Sequence, residues 1–197
     1  MRTRATRGLA LLSIALGICL AATDKAEKDF RPGSPQDYPH QTNNKVTVGA
    51  QKFDSPDQTA KIFGKKADLN RYGILPVLVV VQNYRAQTLD LHDIVVRLEM
   101  SDGQHLEAIP AAEVPFIDAP GQRYSLGRNP GIKRKKNPLN VPEIATWAFT
   151  APILPAGDKA SGFFYFQCRP ETGMRVYVTG MVERPSGKEI VYFEIPL

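Results

Sequence analysis

The sequence predicts an all-β protein, an antiparallel sandwich with one short helix and a long basic loop. The first observation is the unbroken apolar run from Ile74 to Val81, which ends in three successive valines, a residue type that favours strands. The second is the alternation of apolar and polar side chains from Ile94 to Met100, typical of a strand with one buried face. The third is the regular recurrence of turn residues between short strand-like segments in the C-terminal third.

The N-terminus has the layout of a secretory signal peptide over residues 1–22. Three arginines within the first seven residues precede an apolar stretch from Gly8 to Leu20, and the small residues Ala21 and Ala22 follow. The apolar stretch is shorter than a membrane-spanning helix requires. We therefore expect an exported protein, periplasmic or secreted.

Cys19 leaves a second cellular location open. The segment from Leu16 to Cys19 resembles the bacterial lipobox, whose cysteine is lipidated and becomes the new N-terminus, but Ile18 replaces the small residue of that pattern. The alternative is thus a membrane-anchored lipoprotein. In either case Cys168 is left without a disulfide partner in the mature chain, and we expect it to be a buried, small apolar residue.

The rest of the chain divides into a flexible tether over residues 23–44 and one sandwich domain over residues 45–197. The tether is polar and almost free of apolar residues. Ser55, Pro56 and Gln58 form a helix-start signature, and Gly64 ends a short helix over 56–63. The other predicted elements are strands, except that residues 141–149 fit a strand or a short helix. The strands are expected at 45–53, 74–81, 94–100, 105–109, 162–168, 174–182 and 189–197.

Three stretches resemble the immunoglobulin-like sandwich domains of secreted bacterial envelope proteins. They are the run from Ile74 into Asn83, the strand and turn from Ile94 to Gly103, and Leu154 to Gly157 followed by the aromatic run from Gly162 to Phe166. The resemblance covers about residues 45–197. It implies a sandwich fold in the envelope and leaves function open, because many functions share this fold. The antibody-type cysteine pair around a tryptophan is absent.

Signatures of catalysis and metal binding are scarce. The sequence has no Gly-x-Ser-x-Gly, no Gly-rich phosphate loop and no His-Glu-x-x-His. A catalytic base at His92 with Asp93 beside it is disfavoured, because adjacent residues in a strand point to opposite faces. A metal site formed by His92, His105 and either Asp90 or Asp102 is equally weak, because no ligand spacing enforces it. We expect no cofactor. Without the three leader arginines, 22 basic side chains face 20 acidic ones, so specific nucleic-acid binding is not indicated.

The best candidate site in the sequence is a basic loop in residues 121–140, a stretch with no apolar pattern. Its clustered positive charges are suited to phosphates, anionic headgroups or acidic glycans. The residues are Arg123, Arg128, Lys133, Arg134, Lys135 and Lys136.

These observations predict a non-enzymatic binding or interaction module of the bacterial cell envelope. Its partner would be a protein or an anionic envelope component, and contact with the membrane would come only through the signal peptide or a lipid on Cys19. One alternative is a structural protein that pairs with another chain through an exposed sheet edge, with Glu189–Leu197 as the candidate strand. An enzyme whose site is assembled from distant residues is the third hypothesis.

Overall fold

The structure is a computed structural model in which residues 30–64, 67–117, 137–190 and 192–197 are described. Within these residues, every pair of strands is antiparallel, and the strands form three four-stranded sheets. The strands are β1 His40–Asn43, β2 Val46–Lys52, β3 Leu75–Asn83, β4 Leu89–Asp90, β5 Val95–Glu99, β6 His105–Glu107, β7 Ile153–Leu154, β8 Lys159–Phe166, β9 Arg175–Thr179, β10 Val182–Glu183, β11 Lys188–Glu189 and β12 Phe193–Pro196. The predicted antiparallel all-β class is confirmed.

The strand orders are β1–β2–β3–β8 in the first sheet, β11–β10–β4–β7 in the second and β12–β9–β5–β6 in the third. Strand β3 lies inside the first sheet, between β2 and β8. Its residues of both parities are buried, but they belong to different cores. Val77 and Val79 lie in the core that contains Val176 of the third sheet, whereas Val80 lies in the core on the other side of the first sheet. This two-sided burial explains the unbroken apolar run in the sequence.

The second core lies under two short helices, α1 Pro56–Phe63 and α2 Pro142–Thr146. As predicted, the Ser55 hydroxyl accepts a hydrogen bond from the backbone amide of Gln58 at the start of α1, and Gly64 follows the last residue of the helix. Phe163 of β8 is the centre of the aromatic packing in this core. Its ring centroid lies 5.0 Å from that of Phe53 and 5.1 Å from that of Phe63.

Residues 30–44 pack on the sandwich, which corrects the tether predicted over 23–44. Strand β1 pairs with β2 along its whole length, from His40 opposite Gly49 to Asn43 opposite Val46. The Phe30 ring lies 5.6 Å from the Phe163 ring in the second core. A chain with few apolar residues is ordered here because its backbone joins an existing sheet edge. Residues 23–29, the signal peptide at 1–22 and Cys19 lie outside the described residues.

The C-terminal stretch predicted as one strand over 189–197 is divided in the structure. Glu189 belongs to β11, which forms a hairpin with β10 in the second sheet, whereas Phe193–Pro196 forms β12 at the edge of the third sheet. The alternation predicted for residues 94–100 is confirmed, since Val96 and Leu98 are buried in the first core while Arg97 is exposed. In the part of the chain that is described, no helix is long and apolar enough to cross a membrane.

A buried polar junction holds the end of β3. The Asn83 side chain is completely buried, and its amide group donates to the carbonyl oxygens of Gln87, Leu154 and Pro155 at 2.8, 3.2 and 3.0 Å. Its side-chain oxygen accepts a hydrogen bond from the Arg85 amide at 3.0 Å. Because a buried amide needs several partners, this one residue joins β3, the loop after it and the end of β7.

Candidate functional site

The basic loop proposed from the sequence falls on residues that the structure does not describe. All six of its residues, Arg123, Arg128, Lys133, Arg134, Lys135 and Lys136, lie within 118–136. Polyanion binding by this segment therefore stays a prediction.

The histidines do not form a common site. His92 Nδ1 lies 2.9 Å from a carboxylate oxygen of Asp90, whose other oxygen accepts from the Nε of Arg184 at the same distance. The hydrogen bond from the His92 amide and those from Arg184 hold the pKa of Asp90 well below its usual range. His105 lies on β6, in another sheet, and Asp102 accepts from the Gln104 amide within a turn. Within the described ranges, no three His, Cys, Asp or Glu side chains could hold a metal ion.

The described residues instead bring a group of aromatic and charged side chains together on the outer face of the third sheet. In β5 and β9 every second residue is buried, so the residues between them point away from the core. Register then places Arg97 opposite both Glu107 and Tyr177. Together with Tyr192, just before β12, they line a hollow of about 500 Å³. We call this surface the tyrosine face; its residues are Arg97, His105, Glu107, Tyr177, Thr179 and Tyr192.

Three aromatic rings cross the tyrosine face from one edge of the sheet to the other. The Tyr177 ring on β9 lies 6.4 Å from the Tyr192 ring, with 34° between their planes, and 6.1 Å from the His105 ring on β6. Tyr192 is 52% exposed although it is a large aromatic residue. Both separations are those of interacting aromatic pairs, but the planes of His105 and Tyr177 are inclined by 69°. Tyr177 and Tyr192 therefore form a partly exposed platform, and the His105 ring borders it at a steep angle.

The charges around this platform are paired with one another. Arg97 donates to Glu107 at 3.2 Å, and Arg175 forms an ion pair with Glu194. The pKa of Tyr177 is raised, mainly because its hydroxyl is hydrogen-bonded to Glu99 and also by desolvation. Both arginines beside the platform are thus paired with a glutamate, and Glu99 adds a further negative charge beside the Tyr177 hydroxyl.

Two further hollows are smaller, with volumes of about 290 Å³ each. One is an apolar cleft where the third sheet approaches β8, lined by residues such as Ile94, Ile109 and Phe149. The other surrounds Lys52, whose ammonium group already donates to the carbonyl oxygens of Glu171 and Leu197. The tyrosine face is larger than either and combines exposed aromatic rings with hydrogen-bonding groups, as small-molecule sites do.

The tyrosine face was missed in the sequence because its members come from four separate segments. Alternation showed that Arg97 and Glu99 would lie on one side of their strand and Tyr177 on one side of its own. A single sequence does not give the register that brings these strands together. The one local signal was an aromatic residue at a solvent-facing position in Tyr177 and again in Tyr192.

Comparisons with known proteins assign no family. No family model matches the chain, and no curated protein matches it. Among solved structures, a Northeast Structural Genomics Consortium target, SoR45, is 12% identical over 79% of this chain and 89% of its own, with a TM-score of 0.34. The "putative lipoprotein (ycdA)" of Bacillus subtilis is 11% identical over 81% of this chain, with a TM-score of 0.38, and the match covers 38% of that protein. Neither similarity supports a functional assignment.

Proposed function

We propose that the protein is a non-enzymatic binding module of the bacterial cell envelope and that it takes its ligand on the tyrosine face. The observation that carries this proposal is the platform of Tyr177 and the 52% exposed Tyr192, bordered by His105, at a hollow of about 500 Å³. Exposed aromatic rings supply large contact areas with little loss of conformational entropy, which is why they concentrate at binding surfaces. The arrangement is suited to holding a ligand.

Export and the immunoglobulin-like arrangement are parts of this proposal that come from the sequence. The signal-peptide layout of residues 1–22 supports a periplasmic or secreted protein, with lipidation at Cys19 as the alternative. We expect a mature chain that begins near Ala22 when the protein is produced in an export-competent host, and intact-mass measurement checks this. Acyl chains on Cys19 would replace the free module by a lipoprotein, and an unprocessed cytoplasmic chain would contradict export.

Pairing through the edge of the third sheet, the structural alternative, is less well supported. The outward amide of Glu194 in β12 donates to the side-chain oxygen of Gln41 at 2.6 Å. Asn43 donates to the carbonyl oxygen of Tyr192 at 3.0 Å, and Pro196 has no amide hydrogen. These side chains of β1 occupy the groups that an added strand would need, as in other protected edges.

Two tyrosines of nearly equal exposure provide a matched test. Tyr192 is 52% exposed on the tyrosine face, and Tyr84 is 51% exposed just after β3 in the first sheet. The wild-type protein, Tyr192→Ala and Tyr84→Ala are each mixed with membranes and with cell-wall material from the bacterium that encodes the protein, and the sedimented fraction is measured. The backbone carbonyl that accepts from Asn43 is retained in Tyr192→Ala, so the edge of β12 stays capped.

We expect the wild type to sediment with one envelope fraction and Tyr84→Ala to bind within about twofold of it. Tyr192→Ala should bind at least about tenfold more weakly, as expected when an aromatic anchor of a binding surface is truncated. Equal losses in both variants would contradict the assignment to the tyrosine face. A wild type that sediments with no fraction would contradict the binding function itself.

A further inference from the structure

Resting on the proposed binding role of the tyrosine face, we infer that its ligand is an electrically neutral glycan with vicinal hydroxyl groups. A pyranose ring has an apolar C–H surface and a polar rim, so it needs an aromatic platform bordered by hydrogen-bonding groups. The rings of Tyr177 and Tyr192, whose centroids are 6.4 Å apart with 34° between their planes, supply the platform, and the His105 ring borders it at 69° to Tyr177. The negative π-faces of such rings attract the weakly positive C–H groups of a sugar.

The pairing of both arginines with glutamates argues against an anionic ligand. Two arginines, Arg97 and Arg175, share the outer face with three glutamates, Glu99, Glu107 and Glu194, so this surface has a formal charge of −1 when His105 is neutral. A phosphate or uronate group would find no uncompensated cation there. The face therefore does not share a ligand with the basic loop predicted at Lys133 to Lys136.

The same ion pairs are suited to vicinal hydroxyl groups. The side chains of Arg97 and Glu107 are 54% and 76% exposed, although they contact each other at 3.2 Å. A guanidinium group has five N–H donors and a carboxylate has about four acceptor positions, so each keeps free positions after forming one bond. Two adjacent sugar hydroxyls then bridge the pair, one accepting from Arg97 and the other donating to Glu107.

The position of the platform within the sheet argues against an extended peptide as the ligand. Strands β5 and β9, which carry Arg97 and Tyr177, are interior strands with a neighbour on each side. Their backbone amide and carbonyl groups are directed to those neighbours, so a peptide lying across this face would find only side chains. Peptides that add to sheets use the backbone of an edge strand. A sugar chain has no such requirement.

The test compares two treatments of the envelope fraction that binds the wild type. Periodate cleaves vicinal diols and destroys the glycan hydroxyls, whereas proteinase K removes proteins and leaves glycans intact. We expect binding to be lost after periodate and retained after proteinase K. Retention after periodate overturns the inference, and loss after proteinase K identifies a protein ligand while leaving the binding function intact. A wild type that fails to bind untreated material refutes the proposed function instead.

Two further readouts test the interaction itself. Tyr192→Phe retains the ring, so it should bind within about twofold of the wild type, whereas Tyr192→Ala should lose at least about tenfold. Raising the salt concentration from about 50 mM to about 500 mM should change wild-type binding by less than about twofold, because screening has little effect on a neutral ligand. A tenfold loss in salt, or equal losses in the two Tyr192 variants, overturns the neutral-glycan assignment.

Discussion

Replacement of Asn83 by alanine should strongly destabilise the sandwich. Its amide donates to three carbonyl groups and its oxygen accepts the Arg85 amide, all within a completely buried side chain. The Leu154 carbonyl is buried and would be left unpaired, which costs about 1–3 kcal/mol. The two N–H hydrogens of the Asn83 amide group are shared among three carbonyl oxygens. The remaining bonds lie nearer the surface, where water can replace Asn83, and amount to about two full hydrogen bonds of about 0.5–1.5 kcal/mol each. We expect a total loss of about 4 kcal/mol.

Gln82 provides the control. Its side chain also donates to backbone carbonyls, those of Gly157 and Asp158 at 2.7 and 3.1 Å, but these bonds are exposed. Gln82→Ala should therefore lower the free energy of unfolding by only about 0.5 kcal/mol. Denaturant unfolding followed by the fluorescence of the single tryptophan, Trp147, measures both variants. A loss for Asn83→Ala within about 1 kcal/mol of the Gln82→Ala loss would refute the role of this junction.

Three further predictions concern individual groups. Burial raises the pKa of Cys168 to about 11. Because the thiolate is the reactive form, an aromatic disulfide reagent at neutral pH should modify this cysteine in the folded protein at least about tenfold more slowly than in the unfolded protein. Equal rates of modification would contradict this prediction. The bonds from His92 and Arg184 keep the pKa of Asp90 low, so the carboxylate stabilises the fold above its unfolded pKa of about 4, and that stabilisation is lost as the pH falls through its folded pKa. The melting temperature of Asp90→Asn should thus be below that of the wild type at neutral pH, and the difference between the two melting temperatures should become smaller in acid. A difference that does not change with pH would exclude a contribution of Asp90 ionisation to stability. Replacing residues 133–136 with alanine should shorten retention on heparin and flatten its salt dependence, and unchanged retention would remove the polyanion hypothesis.

The fold class could be predicted because its evidence is local. Val79 and Val80 lie in different cores, and that is visible in the sequence as an apolar run without alternation. The start of α1 at Ser55 could also be predicted, since capping depends on residues only three positions apart. The division of residues 189–197 between two sheets could not be predicted from the sequence. It depends on the strands with which Glu189 and Phe193 pair, and not on the residues adjacent to them in the chain.

The candidate site depends on long-range register and was therefore not predictable. Tyr177 and Tyr192 are 15 positions apart, and their rings meet only because β9 and β12 pair with Glu194 opposite Tyr177. Residues 30–44 were predicted as a tether for a related reason. The segment contains few apolar residues. It is nevertheless ordered, because β1 pairs with β2 and the Phe30 ring packs into an aromatic core.

The most direct test of the tyrosine face is an amide chemical-shift map of the wild-type protein titrated with the periodate-sensitive glycan released by proteinase K from the envelope fraction that binds it. If the face takes the glycan, the largest shifts should fall in residues 95–99, 105–107, 175–179 and 192–194, which form or adjoin it. Tyr192→Ala should abolish these shifts and Tyr84→Ala should retain them. Shifts confined to residues 118–136 or to the surroundings of Tyr84, or no shifts at all, would contradict the proposed site.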